Sequence, residues 1–479
     1  MKFKTKMMHV AVLGAIGFAS TAQAAILSED GTGEVLLYPY YTVQNGTDTL
    51  ISVVNTTTQG KAVKVRVLEG MNSREVIDFN LYLSPNDVWT AVITNDAATG
   101  GAKLVTNDKS CTAPAITGGS VSFRNYNYSG AAADGASTSL TRTREGYVEM
   151  IEMGTVNNAF ALTGTTFGTA ITHVNGVAPG CAAVQAAWAA GAQFDSSTAE
   201  LTMNSGGLIG SATLINVAQG VDYSYDPIAI DDFNDSVTGN HTGPGATVPT
   251  LANASPVTST VFHQGAAVTV ANWGATTGYV NSADAVSALL QRQSVMNEYT
   301  VNTGLSAGTD QVLTFPTKRF YVASSASAAP VLSRRPFTTN FLPTGACEPV
   351  TMTITDREEA RPTSSIDFSP PAPGTTTPSL CWEVNVVTMN NTNVLGSSNL
   401  KLNVDTAYTD GWMTFQFLAA GHNMADDVLA GNWMGAATDN YRGLPVVGFG
   451  VQKYVNGNVG GVLSNYGGSF SHKYRRIIN

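Results

Sequence analysis

Stretches in which apolar and polar residues alternate recur along the chain and predict β-strands. In residues 61–70, KAVKVRVLEG, three valines are separated by Lys64 and Arg66. A period of two is typical of a strand with one buried and one solvated face. Asn45-Gly46 is a tight-turn signal between two such stretches. The C-terminal part repeats the pattern at 351–356, 380–389, 400–405 and 411–419.

Short strands at this spacing favour one class of fold. We predict a mainly β protein, with antiparallel β-sandwich-like domains, a few short helices and long polar loops. One helix is expected at 181–191, which is alanine-rich and ends in glycine. A second is expected at 282–299, with Ser282 as N-cap and Asp284 in its first turn.

The first 24 residues have the pattern of a cleaved secretion signal. Three early lysines precede an apolar stretch at 10–19, and the small residues Ala22 and Ala24 mark a cleavage point. We therefore expect an exported protein at the cell surface, in the outer envelope or outside the cell. No later apolar stretch reaches the roughly 18 residues of a spanning helix, so no membrane span is expected.

The remaining chain divides by composition. The predicted regions are the signal peptide at 1–24, an N-terminal β-rich region at 25–235, a linker or long loop at 236–259, a helix-plus-strand segment at 260–335 and a C-terminal β-rich region at 336–479.

Charged residues are scarce, at 13% of the chain, where about 25% is usual. Loss of the signal removes three of the 25 basic residues and none of the 35 acidic ones. The acidic balance argues against nucleic acid as a partner. A polar but mostly uncharged surface lacks the lysines and glutamates that keep monomers apart, which suits a protein that packs against its own copies. A plain secreted β protein would have the same composition.

The four cysteines predict two disulfides, because their number is even and the chain is expected to be exported. Three pairings are possible, and proximity along the chain favours Cys111 with Cys181 and Cys347 with Cys381. The sequence holds no C-x-x-C, which argues against a redox site or a zinc ribbon.

The stretch EVLLYPYYTVQ, residues 34–44, is the first candidate contact site. Pro39 cannot donate to a strand ladder, so the strand is expected to lie at a sheet edge or to be bulged there. Tyr38, Tyr40 and Tyr41 then have three interpretations: packing within their own domain, an edge that pairs with another subunit, or a platform for sugar rings.

Calcium is the one cofactor that the sequence raises. Asp226, Asp231, Asp232 and Asp235 fall within ten residues, and their carboxylate oxygens suit Ca²⁺. Their spacing does not match an EF-hand, and a solvated acidic turn is the alternative.

No catalytic motif stands out. Residues 304–308, GLSAG, match G-x-S-x-G, but the predicted helix precedes the serine and a strand follows it, the reverse of a nucleophile elbow. Glu149 and Glu152 are three residues apart on a predicted strand and so point to opposite faces.

Several stretches together resemble a group of exported proteobacterial proteins called only "cell surface protein". They are LLYPYYTV at 36–43, TLISVVNTT at 49–57, KAVKVRVLEG at 61–70, HVNGVAPGCAAVQAAW at 173–188, DAVSALLQRQSV at 284–295, FPTKRFYV at 315–322 and LPVVGF at 444–449. The resemblance extends over nearly the whole chain. It implies an envelope or extracellular location and transfers no catalytic residue.

These observations predict a non-enzymatic, exported structural protein that assembles with itself into a layer or filament. The alternative is a surface adhesin or polysaccharide-binding module. The expected partners are therefore further copies of the chain or an envelope polysaccharide.

Overall fold

A computed structural model describes residues 24–236, 239–263, 267–273, 281–322, 335–361, 378–397, 400–404, 407–425 and 440–479. The predicted signal peptide thus lies outside the described residues, except for residue 24. The chain is mainly β with several antiparallel sheets, which confirms the predicted fold class.

The strands are numbered in chain order. They are β1 (Ala25–Leu27), β2 (Val35–Thr42), β3 (Asp48–Asn55), β4 (Lys61–Glu69), β5 (Glu75–Leu83), β6 (Val88–Asp96), β7 (Gly101–Val105), β8 (Cys111–Ala113), β9 (Ser120–Ser122), β10 (Glu145–Val156), β11 (Ala161–Leu162), β12 (Thr165–Thr166), β13 (Leu201–Thr202), β14 (Leu208–Asn216), β15 (Val221–Tyr225), β16 (Ile228–Asp231), β17 (Thr258–His263), β18 (Ala267–Asn272), β19 (Gln291–Arg292), β20 (Ser294–Thr300), β21 (Ala307–Thr314), β22 (Glu348–Pro349), β23 (Thr351–Asp356), β24 (Ser379–Leu380), β25 (Val384–Met389), β26 (Leu400–Leu402), β27 (Asp410–Gln416), β28 (Asn423–Ala425), β29 (Asn440–Arg442), β30 (Leu444–Pro445), β31 (Phe449–Val459), β32 (Val462–Ser471), β33 (Lys473–Arg475) and β34 (Ile477–Ile478).

The helices are short. The α-helices are α1 (Phe167–Ile171), α2 (Cys181–Ala186), α3 (Gln193–Ser196) and α4 (Asn281–Leu290). Single 3₁₀ turns occur at Gln44–Gly46, Thr117–Gly119, Tyr126–Tyr128, Gly130–Ala132, Leu140–Arg144, Thr303–Leu305 and Lys318–Phe320. None of the described helices meets the length and hydropathy that a bilayer span requires.

Two sheets form an N-terminal sandwich. The large sheet has the order β18-β17-β1-β16-β2-β10-β4-β5-β8, and its strands are antiparallel except where β1 meets β17. The second sheet has the order β15-β14-β3-β6-β7-β9. Phe79 of the large sheet and Trp89 of the second sheet meet in the core, with ring centroids 5.7 Å apart.

The two sheets differ in whether buried and exposed side chains alternate along their strands. In β6, Trp89, Ala91 and Ile93 are buried, whereas Val88 and Thr90 are exposed, so the second sheet has one open face. Every residue of β4 is buried. The large sheet is therefore covered on both faces at β4, and the predicted wet face of this strand is wrong.

The covering layer is the segment predicted as a linker or long loop. The segment was predicted at 236–259, and its residues 239–257, which precede β17, lie on β4 and β5, where the backbone carbonyls of Gly243, Thr247 and Pro249 accept hydrogen bonds from Lys64 and Arg66. The segment is thus a packed long loop. The strands that follow it, β17 and β18, complete the large sheet.

A second sandwich is built from the C-terminal half. Its sheets have the orders β26-β25-β21-β31-β32 and β23-β27-β20-β33, and Phe315, Met389 and Phe415 lie in its core. The two sandwiches contact each other directly. Tyr225 stacks on Phe449 with a centroid distance of 4.6 Å, and the hydroxyl of Thr314 donates to the carbonyl of Pro39 at 2.6 Å.

The second predicted helix is correct only in its first half. Helix α4 ends at Leu290, and 294–300 form β20, which pairs with β27 and β33 on its two sides. Asp284 lies in the first turn as predicted. Beyond Leu290 the side chains of Val295 and Tyr299 are buried in the sheet. Hydrogen-bonded pairing with two neighbouring strands stabilises the extended conformation more than the weak helical pattern favours a helix.

Candidate functional site

The tyrosines of β2 lie inside the molecule. Tyr38, Tyr40 and Tyr41 are fully buried, and β2 pairs with β10 and with β16. The predicted exposed edge is therefore wrong, and so is a sugar platform on these rings. The bulge prediction is correct, because the register between β2 and β10 shifts around Pro39.

Each tyrosine hydroxyl serves to join elements. Tyr38 donates to the carbonyl of Ser52 at 2.6 Å and thereby links the two sheets of the N-terminal sandwich. Tyr40 donates to Glu145 at 3.0 Å, and Tyr41 donates to the carbonyl of Thr143 at 3.0 Å. Burial raises the pKa of all three phenols, so they remain neutral hydrogen-bond donors.

The four aspartates proposed for calcium do not form one cluster. Asp226 is exposed before β16, and Asp231 ends that strand. At about 3.3 Å per residue the Cα atoms of Asp226 and Asp231 stand roughly 16 Å apart. Burial, followed by the charge of Asp232, raises the pKa of Asp231. Within the described residues, no group of three or more His, Cys, Asp or Glu side chains could hold a metal ion.

Both predicted disulfides form. Cys111 is bonded to Cys181 and Cys347 to Cys381, and no cysteine is free. The first disulfide ties β8 to α2 beside a small aromatic core of Tyr82, Phe167 and Phe194. The pairing by proximity along the chain is confirmed.

That small core contains a row of polar groups that resembles a catalytic relay. His241 lies between Glu200, at 3.1 Å from its Nδ1, and the hydroxyl of Tyr82, at 3.0 Å from its Nε2. The indole of Trp188 also donates to Tyr82 at 2.9 Å. Tyr82 and His241 are closed to solvent, and burial lowers the pKa of His241. We interpret the row as a satisfied part of the core.

The buried charges of the large sheet could not be predicted from the sequence pattern. Lys61 and Glu152 form a fully buried ion pair at 2.7 Å, and Arg319 meets Glu149 at 2.8 Å. The two glutamates lie on opposite faces of β10 as predicted, because Glu149 is paired with Arg66 and Glu152 with Val63 in the ladder to β4. Period-two alternation placed Lys64 on a separate face from the valines, but could not show what covers that face.

Two sheet edges present uncharged strands. Strand β18, AVTVAN, ends the large sheet, and within the described residues its only ladder partner is β17. Its outward row contains Val268 and Val270, and Phe262 of β17 lies beside Val268 on the same face. Val270 is 62% exposed. The row is apolar and open to solvent.

Strand β32, VLSNYGGSFS, ends the five-stranded sheet of the second sandwich. Val462, Tyr466 and Phe470 fall on one face of this strand and are exposed, Tyr466 by 59%. On the other face, Asn465 and Ser469 donate to the carbonyls of Gln219 and Ser224. One face of β32 thus caps the edge at β15, while its other face stays open.

Three other sheet ends are blunted in ways that natural proteins use against edge pairing, whereas β23, which ends the four-stranded sheet, carries a single charge at Asp356. Strand β8 has three residues and is followed by Pro114, and β9 also has three. Strand β33 carries Lys473 and Arg475. Neither β18 nor β32 contains a charge or a proline. These two strands are the candidate contact site.

Comparisons of the chain with protein-family models, with curated proteins and with solved structures find no match. The function must therefore be argued from the geometry.

Proposed function

We propose that this is an exported structural protein of the cell surface, which assembles by pairing its open sheet edges with those of neighbouring copies. The observation that carries the proposal is the contrast between the charge-free edge strands β18 and β32 and the blunted edge strands β8, β9 and β33. An edge strand presents a row of N–H and C=O groups that another strand can pair with. The two disulfides are compatible with an oxidising compartment.

The apolar rows supply the second support. When a β18 edge pairs with another edge, its exposed valines come to lie beside the partner's side chains. Removal of this apolar surface from water contributes about 25 cal/mol per Å². Because β18 and β32 carry no charge, pairing brings no like charges together. A second copy of the chain is the occupant that these edges fit.

The test uses residues 25–479 with both disulfides intact. We expect particles that grow with protein concentration in analytical ultracentrifugation, and ordered sheets or fibres in negative stain. Val270→Lys and Tyr466→Lys each place a charge on one open edge and should reduce assembly. Val217→Lys is the matched control, because Val217 is 75% exposed but lies in the turn between β14 and β15.

The pair of variants also separates two geometries. If either lysine alone abolishes assembly, β18 pairs with β32 in a head-to-tail arrangement that continues into a filament. If only one lysine acts, that edge pairs with its own copy and the contact is two-fold symmetric. A monomer at every concentration, or assembly that both lysine variants leave unchanged, contradicts the proposal.

The same experiment tests the calcium prediction through one added condition, the removal of calcium by a chelator. The aspartates at 226–235 are spread over both ends of β16, so chelation with EDTA should leave the particles intact. Dissolution by EDTA would mean that the contacts depend on a metal ion and not on edge pairing alone.

A further inference from the structure

An open cleft of about 390 Å³ lies beside the free end of β5, where the loop before β9 and the turn after it approach the strand. Strand β8 pairs with β5 only over Asn80 to Tyr82, so the remainder of that strand borders the cleft. The volume falls in the range of small-molecule sites, about 300–1,000 Å³.

The cleft has two unlike walls. Ile77 and Ile116 provide apolar side chains, and Glu75 and Asp78 provide carboxylates. Neighbouring cations hold both carboxylates in place: Lys64 lies 2.6 Å from Asp78, and Arg66 lies 2.7 Å from Glu75. The carboxylates are thus fixed acceptors whose charge is largely balanced.

An aromatic ring stands at the mouth of the cleft. Tyr126 is 70% exposed, and the guanidinium of Arg124 lies 5.7 Å from its ring centroid. The 3₁₀ turn that carries it is anchored by the buried Tyr128, whose ring lies under Arg142 at 4.4 Å. Tyr126 is therefore an exposed ring on a fixed turn.

We propose that this cleft binds one unit of an uncharged saccharide. A sugar ring has an apolar C–H face, which would lie on Tyr126. Its hydroxyl groups would donate to Asp78 and Glu75 and accept from Arg124. An apolar ligand would bring no hydroxyl donors to the carboxylate oxygens, and the charged groups of an anionic ligand would bring acceptors to them instead of donors.

A peptide strand fits the cleft less well. The carbonyl of Val76 already accepts the amide of Arg124 at 2.9 Å, and Asn127 donates to the carbonyl of Glu75 at 3.3 Å. At the other end Pro114 has no N–H to offer. These groups leave too short a free edge for strand addition, whereas a compact polar ring needs no ladder.

The test is saturation-transfer NMR and calorimetry on the disulfide-intact chain, with chitobiose, cellobiose and maltotriose as probes. We expect saturable binding of at least one probe. Tyr126→Ala should weaken that binding about tenfold, while Tyr126→Phe keeps the ring and should retain it. Trp412→Ala removes an exposed aromatic ring on β27, away from the cleft and from both open edges, and is the matched control.

Several results would overturn the proposal: no binding of any of the three probes, equal binding by Tyr126→Ala, or preference for a digalacturonate over every neutral probe. Circular dichroism confirms that each variant is folded. The proposal does not rest on self-assembly, because the cleft borders β5 and neither open edge contributes to it.

Discussion

The interior of the large sheet and the two open sheet edges, β18 and β32, differ in their content of charged residues. The large sheet holds lysines, arginines and glutamates in ion pairs that are buried or nearly buried. The edge strands β18 and β32, which meet water, have no charged residue. Only 13% of the residues in the chain are charged. Some of them form ion pairs inside the large sheet, whereas the two contact strands contain none.

The contrast has an energetic meaning. A buried ion pair is a weak source of net stability, but loss of one partner is costly because a charge remains buried without compensation. An exposed edge strand contributes little to the fold of the monomer and much to its contacts with others. Substitutions in the two regions should therefore have effects of different size on different quantities.

The largest effect is expected at Arg142. This side chain is buried, meets Glu69 at 2.7 Å and Asp134 at 2.6 Å, and joins the turn at 140–144 to β4. Burial opposes its charge, but the two carboxylates outweigh burial and raise its pKa. Arg142→Ala should lower the free energy of unfolding by about 3–5 kcal/mol, as measured by urea titration at low protein concentration.

The matched control for Arg142 is Arg357→Ala. Arg357 pairs with Glu358 at 2.8 Å, but both side chains are mostly exposed. The urea midpoint of this variant should equal that of the unmodified chain. A loss at Arg142 no larger than at Arg357 would refute the view that buried charge organises the large sheet.

A smaller effect is expected from pH at Glu34. Burial, followed by the charges of Glu152 and Asp231, raises the pKa of Glu34 to about 8. The folded protein then binds a proton that the unfolded chain, with an ordinary pKa of 4.5, releases. Stability should therefore fall as the pH rises from about 4.5 to about 8.

Glu34→Gln isolates this contribution. Between pH 5.5 and 7 the free energy of unfolding of the unmodified chain should fall more steeply with pH than that of the variant. The difference in slope should be up to about 1.4 kcal/mol per pH unit. Asp30→Asn is the control, because the hydrogen bonds of Thr32 and Ser28 lower the pKa of Asp30 to about 2 and the residue is ionised throughout that window. Equal slopes for the unmodified chain and Glu34→Gln would contradict the assignment.

The difference between local sequence pattern and long-range packing explains which features could be predicted from the sequence. Alternation identified β4, β23 and β27 because a period of two survives whatever covers the strand. Even cysteine count and proximity identified both disulfides. Local pattern could not show that the loop at 239–257 covers Lys64 and Arg66, because its hydrogen bonds join residues about 180 positions apart.

The candidate edge was misplaced for a related reason. Pro39 does interrupt a ladder, but the interruption is a bulge inside the sheet, and the freed carbonyl bonds to Thr314 of the other sandwich. The open edges were visible in the sequence only as charge-free runs such as AVTVAN, which also occur in buried strands. Whether such a strand ends a sheet depends on the pairing order of the entire chain.

The smallest effect on folding, and the one that divides the two regions most sharply, is expected from Val270→Lys. The side chain is mostly exposed, so a lysine there should change the free energy of unfolding of the monomer by less than about 1 kcal/mol. Contacts between copies stabilise a protein by mass action, and the unfolding midpoint of the unmodified chain should rise with protein concentration. In Val270→Lys that concentration dependence should weaken while the midpoint at high dilution stays the same. A midpoint that falls equally at all concentrations would mean that β18 belongs to the fold of the monomer, as Arg142 does, and is not a contact strand.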